Sequence, residues 1–191
     1  MTEGAAHRLF YALWPPAAPR AELGRAFGAA LAAAGGRKVP AENLHLTLAF
    51  LGNVPAAEVG RLTAIGAGLA LPPGEVVLDR LDWWPRARVL VAAARDAPAA
   101  LVELQAELTR QLKDGGFGVD CAVFRPHVTL ARKVAAPPPT GGAARVAWPL
   151  AALALIASIP AAGGSRYTPL SAWESRDSPA FHDRGRPTRM R

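Results

Sequence analysis

Cysteine is almost absent from this chain: 191 residues contain one, Cys121. Neither an internal disulfide framework nor a cysteine-based zinc site can be built from it, which suits a reducing cytoplasm. Within Val119-Asp120-Cys121-Ala122-Val123 its expected role is a small core or strand-edge filler, not a thiol nucleophile. Histidine is scarce too, with four in all, and there is no His-Glu-x-x-His or Asp-rich loop. The expectation is therefore no metal and no cofactor. Long apolar runs are missing as well. The most apolar stretch, Pro149 to Ala162, is interrupted and falls short of the about 20 residues a bilayer requires, so no membrane partner is expected. Met1 to Arg8 shows no basic segment leading into an apolar run, and no signal peptide is expected. Acidic residues are outnumbered, 15 to 22, leaving a formal net charge of +7. That excess attracts polyanions such as nucleic acid, although a genome rich in arginine codons produces the same bias on ordinary surfaces.

What is present reads as a globular α+β chain, with 51% hydrophobic and 19% charged residues. Leu9 to Trp14 is a short apolar run stopped by Pro15-Pro16, a first strand. Arg20 to Ala34 carries Leu23, Phe27 and Leu31 at helical spacing and ends at Gly35-Gly36. Asn43 to Gly52 reads as a strand, and Pro55 to Leu69 as a helix with its stripe at Val59, Leu62 and Ile65. Glu75 to Trp83 and Val89 to Ala94 form a strand pair across Pro85-Arg86. Pro98 to Lys113 is the clearest helix, with Leu101, Leu104, Leu108 and Leu112 on one side. Phe124 to Arg132, Leu153 to Ile159 and Tyr167 to Glu174 read as further strands, and Ala135 to Ala144 as a loop. Residues 1–174 form one domain on this reading, and the arginine-rich tail 175–191 is expected to be flexible.

Two segments resemble each other. Asn43-Leu44-His45-Leu46-Thr47-Leu48-Ala49-Phe50 and Arg125-Pro126-His127-Val128-Thr129-Leu130-Ala131-Arg132 each carry His, an aliphatic residue, Thr, Leu and Ala in that order. One His-x-Thr on a strand is usually an incidental pair. Two matched copies in a chain with four histidines are a different matter. On a strand, residues i and i+2 share a face, so His45 and Thr47 point together, as do His127 and Thr129. Leu46, Leu48 and Phe50, like Val128 and Leu130, then alternate onto the opposite, apolar face.

Paired histidines suit phosphoryl chemistry. One neutral imidazole takes a proton from attacking water while the other, protonated, supplies one to the departing oxygen; the ordinary imidazole pKa of about 6.5 allows both near neutrality. Threonine hydroxyls can donate to non-bridging phosphate oxygens. Which histidine is acid and which is base does not follow from these residues alone.

The motifs resemble those of the 2H phosphoesterase superfamily. Within it the chain is similar to the bacterial RNA 2′,3′-cyclic phosphodiesterases, also called 2′-5′ RNA ligases. Arg8-Leu9-Phe10-Tyr11-Ala12, the two motifs with Leu51-Gly52, and Tyr167-Thr168-Pro169-Leu170 followed by Trp173 carry the likeness. The resemblance implies two intertwined, pseudo-symmetric lobes with antiparallel sheets lining a cleft and helices outside. It implies opening of 2′,3′-cyclic phosphate RNA ends to 2′-phosphates, with reverse 2′-5′ ligation. His45 would be the proton donor and His127 the acceptor, aided by Thr47 and Thr129. It also implies a metal-independent monomer in the cytoplasm, with tRNA halves among the candidate RNAs. Arg132 matches a basic residue past the second motif, although strict alternation puts it opposite His127, so it would have to bend inward. Tyr11 and Phe50 match cleft aromatics, although Phe50 alternates onto the buried face. Trp83-Trp84 is expected to be one core and one surface residue, and His7 and His182 to be solvated. Rival readings are another 2H substrate, such as ADP-ribose 1″,2″-cyclic phosphate or 2′-5′ oligonucleotides, and a non-catalytic RNA-binding module.

Overall fold

The two motif segments lie on neighbouring strands at the middle of one antiparallel sheet. The computed structural model describes residues 6–119, 123–138, 144–161 and 164–175. In chain order the elements are β1 (Ala6–Leu13), α1 (Ala17–Ala26), α2 (Gly28–Ala34), β2 (Arg37–Lys38), β3 (Leu46–Pro55), α3 (Val59–Ala67), β4 (Glu75–Leu78), β5 (Arg80–Trp84), β6 (Val89–Ala93), α4 (Ala99–Asp114), β7 (His127–Arg132), β8 (Val146–Pro149), β9 (Ala152–Ala161) and β10 (Gly164–Glu174). The main sheet runs β10-β9-β1-β3-β7-β6-β5, with β2 pairing β7, and β4 and β8 form a separate ribbon. No closed barrel results, and the α+β class with antiparallel sheets is as the sequence implied.

Most expected elements are present with shifted ends. The helix expected over Arg20 to Ala34 is two helices, interrupted where Phe27 adopts φ −107° and ψ 8°. The strand expected over Glu75 to Trp83 splits at Asp79, so β4 joins the ribbon while β5 joins the main sheet. β7 begins at His127 because Pro126 has no N–H to give the ladder. β8 escaped the sequence reading: four residues ending in proline offer too little periodicity.

The core lies between the sheet and its helices. The α4 leucines at 101, 104, 108 and 112 are all buried, as the stripe predicts. Leu46, Leu48, Val128 and Leu130 are buried in the same cluster. α3 and α4 pack together, α3 also meeting β9 and β10 and α4 meeting β3, whereas α1 meets β8. One approach is unusually close: a Cβ on Gly66 in α3 would stand 2.2 Å from the indole of Trp173, so only glycine lets α3 reach β10. Cys121, His182, residues 176–191 and part of the 135–144 loop lie outside the described residues.

Candidate active site

The site begins with the register of β3 and β7. Leu46 pairs with Val128. In an antiparallel pair this sets His45 across from Thr129 and Thr47 across from His127, with all four side chains on the face opposite Leu46 and Val128. The two histidines are then diagonal neighbours, at a backbone separation of about 7–8 Å. A local twofold axis passes between the two motifs.

Each imidazole is held the same way. His45 Nδ1 lies 2.7 Å from the carbonyl of Asn43, and His127 Nδ1 lies 2.7 Å from the carbonyl of Arg125. A carbonyl only accepts, so Nδ1 carries the hydrogen and Nε2 is left for proton exchange in both rings. His45 is packed by three rings: Phe10 at 4.8 Å, Tyr167 edge-on at 5.1 Å and Trp14 stacked at 5.7 Å. His127 has Trp84 at 4.5 Å.

Both histidines are pushed towards the neutral form. Burial is the main cause for His45, whose pKa falls to about 4; the charges of Arg132 and His127 lower it further, and the Asn43 carbonyl opposes the fall. His127 is lowered by burial and by Arg132, against the Arg125 carbonyl. An incoming phosphate anion acts in the opposite direction and favours the imidazolium.

Two backbone irregularities complete the site. In the pairing of β1 with β3, Tyr11 faces Ala49 and Ala12 faces Thr47, so Leu48 is an extra residue. In the pairing of β6 with β7, Leu90 faces Ala131 and Val91 faces Thr129, so Leu130 is an extra residue. Each is a β-bulge at the same motif position, and each puts two successive residues into the core, Leu48-Ala49 and Leu130-Ala131. The side chain three positions after each threonine then returns to the cleft. Those residues are Phe50 and Arg132.

Strict alternation therefore fails for both, and the reading of Phe50 as a core residue is corrected: its side chain is 42% exposed and lines the cleft. Arg132 turns inward through the bulge. Tyr11 is corrected in the other direction. It is fully buried beside Leu9 and Leu13, donates its hydroxyl hydrogen to the Leu62 carbonyl, and packs against Trp173. Its neighbour Phe10 takes the cleft position, because β1 alternates core-ward at 9, 11 and 13. The sequence reading missed Phe10, Trp14 and Tyr167 around His45. The signal was the parity of β1, where the leucines at 9 and 13 mark the buried face. Trp83 packs on the main core, while Trp84 faces His127 instead of being a plain surface residue. His7 is half-buried on β1.

The cleft has a volume of about 1070 Å³, and its wall includes His45, Thr47, Phe50 and Arg132. Among the described residues no group of three or more His, Cys, Asp or Glu side chains could hold a metal ion.

The repeated architecture is matched by the comparison with protein families. The family described as LigT like Phosphoesterase matches residues 13–91 and again 91–179. The chain belongs to the LigT-like phosphoesterase family. Its LigT-like relatives include the RNA 2′,3′-cyclic phosphodiesterase of Escherichia coli K12, 35% identical over 170 residues, which cover 87% of this chain and 95% of the relative. The protein of the same description from Thermus thermophilus is 32% identical over 187 residues, covering 88% and 90%. Among solved structures, one described as a phosphoesterase superposes with TM-score 0.81 at 32% identity, covering 90% of this chain and 99% of that one. Escherichia coli LigT in complex with 3′-AMP gives 0.76 at 33% identity with the same coverage.

Proposed function

We propose that this chain is an RNA 2′,3′-cyclic phosphodiesterase. The observation that carries the reading is the symmetric pair of histidines on neighbouring strands whose Nδ1 atoms are both committed to backbone carbonyls, which leaves both Nε2 atoms for proton exchange. The family membership and the descriptions of its relatives support the substrate class.

In the proposed reaction water attacks phosphorus and the bond to the 3′ oxygen breaks. Neutral His127 takes the water proton at Nε2. His45, protonated once the phosphate is bound, gives its Nε2 proton to the departing 3′ oxygen. The product is a 2′-phosphomonoester and a 3′-hydroxyl. Thr47 and Thr129 donate to the non-bridging oxygens, and Arg132 balances their charge. Phe50 offers a ring to the terminal base. With a 5′-hydroxyl in place of water as the attacking group, the same steps join two ends through a 2′-5′ bond, the 3′ oxygen again leaving with the proton from His45. We further infer that residues 1–174 act as one two-lobed, monomeric, metal-independent unit. The near lack of cysteine favours the cytoplasm, and tRNA halves are RNA ends of the right chemistry.

The test is hydrolysis of a short RNA ending in a 2′,3′-cyclic phosphate, in EDTA, with products resolved against 2′- and 3′-phosphate standards. His45→Ala and His127→Ala should each lower kcat by about 100- to 10,000-fold while the circular dichroism melt stays cooperative. Full activity in either variant, or abolition by EDTA with rescue by a divalent ion, would overturn the reading.

A further inference from the structure

Six basic side chains line the cleft, Arg8, Arg20, Arg37, Lys38, Arg132 and Arg166, against one carboxylate, Glu42. The chain as a whole has 22 basic to 15 acidic residues, so the cleft concentrates the basic excess. Several of the six already have work within the protein. Arg20 donates to the carbonyls of Pro16 and Glu42 and lies over Trp14. Arg8 lies over the Phe50 ring. Arg132 stands beside both histidines, and the Arg37 guanidinium lies against Gly164 at the start of β10. Lys38 and Arg166 differ: both side chains are exposed, and among the described residues neither makes a hydrogen bond or ion pair.

These two come from different elements that the fold fixes together. Lys38 is on β2, held to β7 through the Arg37–Arg132 and Lys38–Ala131 pairs. Arg166 is on β10, next to Ser165, whose carbonyl accepts a hydrogen bond from Asn43 Nδ2 at 2.9 Å. Asn43 in turn supplies the carbonyl that orients His45. The two basic residues are thus tied to the reacting centre through strand pairing and the Asn43 side-chain amide. A cleft of about 1070 Å³ also exceeds what one terminal nucleotide fills.

We propose that Lys38 and Arg166 form a second phosphate subsite, which binds the RNA backbone phosphate on the 5′ side of the terminal cyclic phosphate. The inference rests on the phosphodiesterase reading above. Its consequence is a preference for chain length: an oligonucleotide end fills both subsites, whereas a nucleoside 2′,3′-cyclic monophosphate fills one.

The experiment compares kcat/KM for a cyclic mononucleotide and for tetranucleotides ending in a 2′,3′-cyclic phosphate, using wild type, Lys38→Ala, Arg166→Ala and the double variant. Wild type should favour the tetranucleotide at least about tenfold. Each single change should lower tetranucleotide kcat/KM about three- to tenfold, mainly through KM, and leave the mononucleotide unchanged. The salt dependence of tetranucleotide binding, read by anisotropy with a non-reacting 2′-phosphate-ended RNA, should become shallower by about one counterion per cation removed. Equal kcat/KM for both substrates in wild type, or equal losses on both in the variants, would overturn the subsite. Loss of hydrolysis on every substrate by wild type would instead overturn the phosphodiesterase reading, and the anisotropy arm would still decide whether Lys38 and Arg166 bind a phosphate.

Discussion

His45 and His127 differ less in their hydrogen bonding than in what surrounds them. Both present Nε2, but His45 is enclosed by Phe10, Tyr167 and Trp14, whereas His127 meets Trp84. Enclosure withdraws water from the imidazolium, and the depressed pKa follows. The sign matters for catalysis. Above the acid's pKa in the empty enzyme the donor is unprotonated, and below the base's pKa the acceptor is blocked. With both values lowered from 6.5, the bell-shaped kcat/KM profile should peak below pH 6.5. The bound phosphate raises both values, so the kcat profile should peak at higher pH than that of kcat/KM. Initial rates from pH 4 to 9 check this; a kcat/KM optimum above neutrality would contradict the pKa assignment. Arg132 lowers both histidines by its charge, and Arg132→Gln should move both limbs of the kcat/KM profile upward.

Helix α3 shows how one element is seated by a single missing methyl group. Gly66 meets the Trp173 indole, Trp173 stacks on Tyr11 at 6.4 Å, and Tyr11 returns to α3 through the Leu62 carbonyl. Gly66→Ala forces these rings apart and should cost about 1–3 kcal/mol in urea unfolding. Gly60 in the same helix has open space where a methyl group would go, with nothing within 4 Å, and Gly60→Ala should stabilise by about 0.4–1 kcal/mol. Equal effects at the two positions would remove the packing argument. The strands were partly legible from sequence. The face shared by His45 and Thr47 follows from simple alternation, as does that of His127 and Thr129. Phe50 and Arg132 were not legible, because the bulges at Leu48 and Leu130 sit in ordinary aliphatic runs without a glycine or proline to mark them. The β1 aromatics were legible in principle, through the leucines on either side of Tyr11.

Across the whole molecule the two halves of the sequence do not correspond to two halves of the structure. β1 and β3 pair with each other, and β1 pairs with β9, supplied by the C-terminal part of the chain, while α1 from the N-terminal part packs on β8. Sequence alone could order the elements, but this exchange depends on which strands meet far along the chain, and no local pattern records that. The exchange predicts that fragments 1–91 and 92–191, expressed separately, each fail to give a cooperative thermal transition. Without its partner, β1 keeps an unsatisfied edge and its apolar residues stay wet. Independent folding of either fragment would show that the interleaving is not needed for stability.

The carbonyls of Asn43 and Arg125 impose the same proton arrangement on both rings, so the reactive pair is close to reversible in chemical sense: either ring could give and the other take. Handedness must then come from the walls, with Phe10, Tyr167 and Trp14 around one ring and Trp84 beside the other. The ester bond that yields would be chosen by how the nucleotide lies against those walls. Reshaping Phe10 or Tyr167 is accordingly the place to look for an enzyme that releases the opposite phosphate isomer.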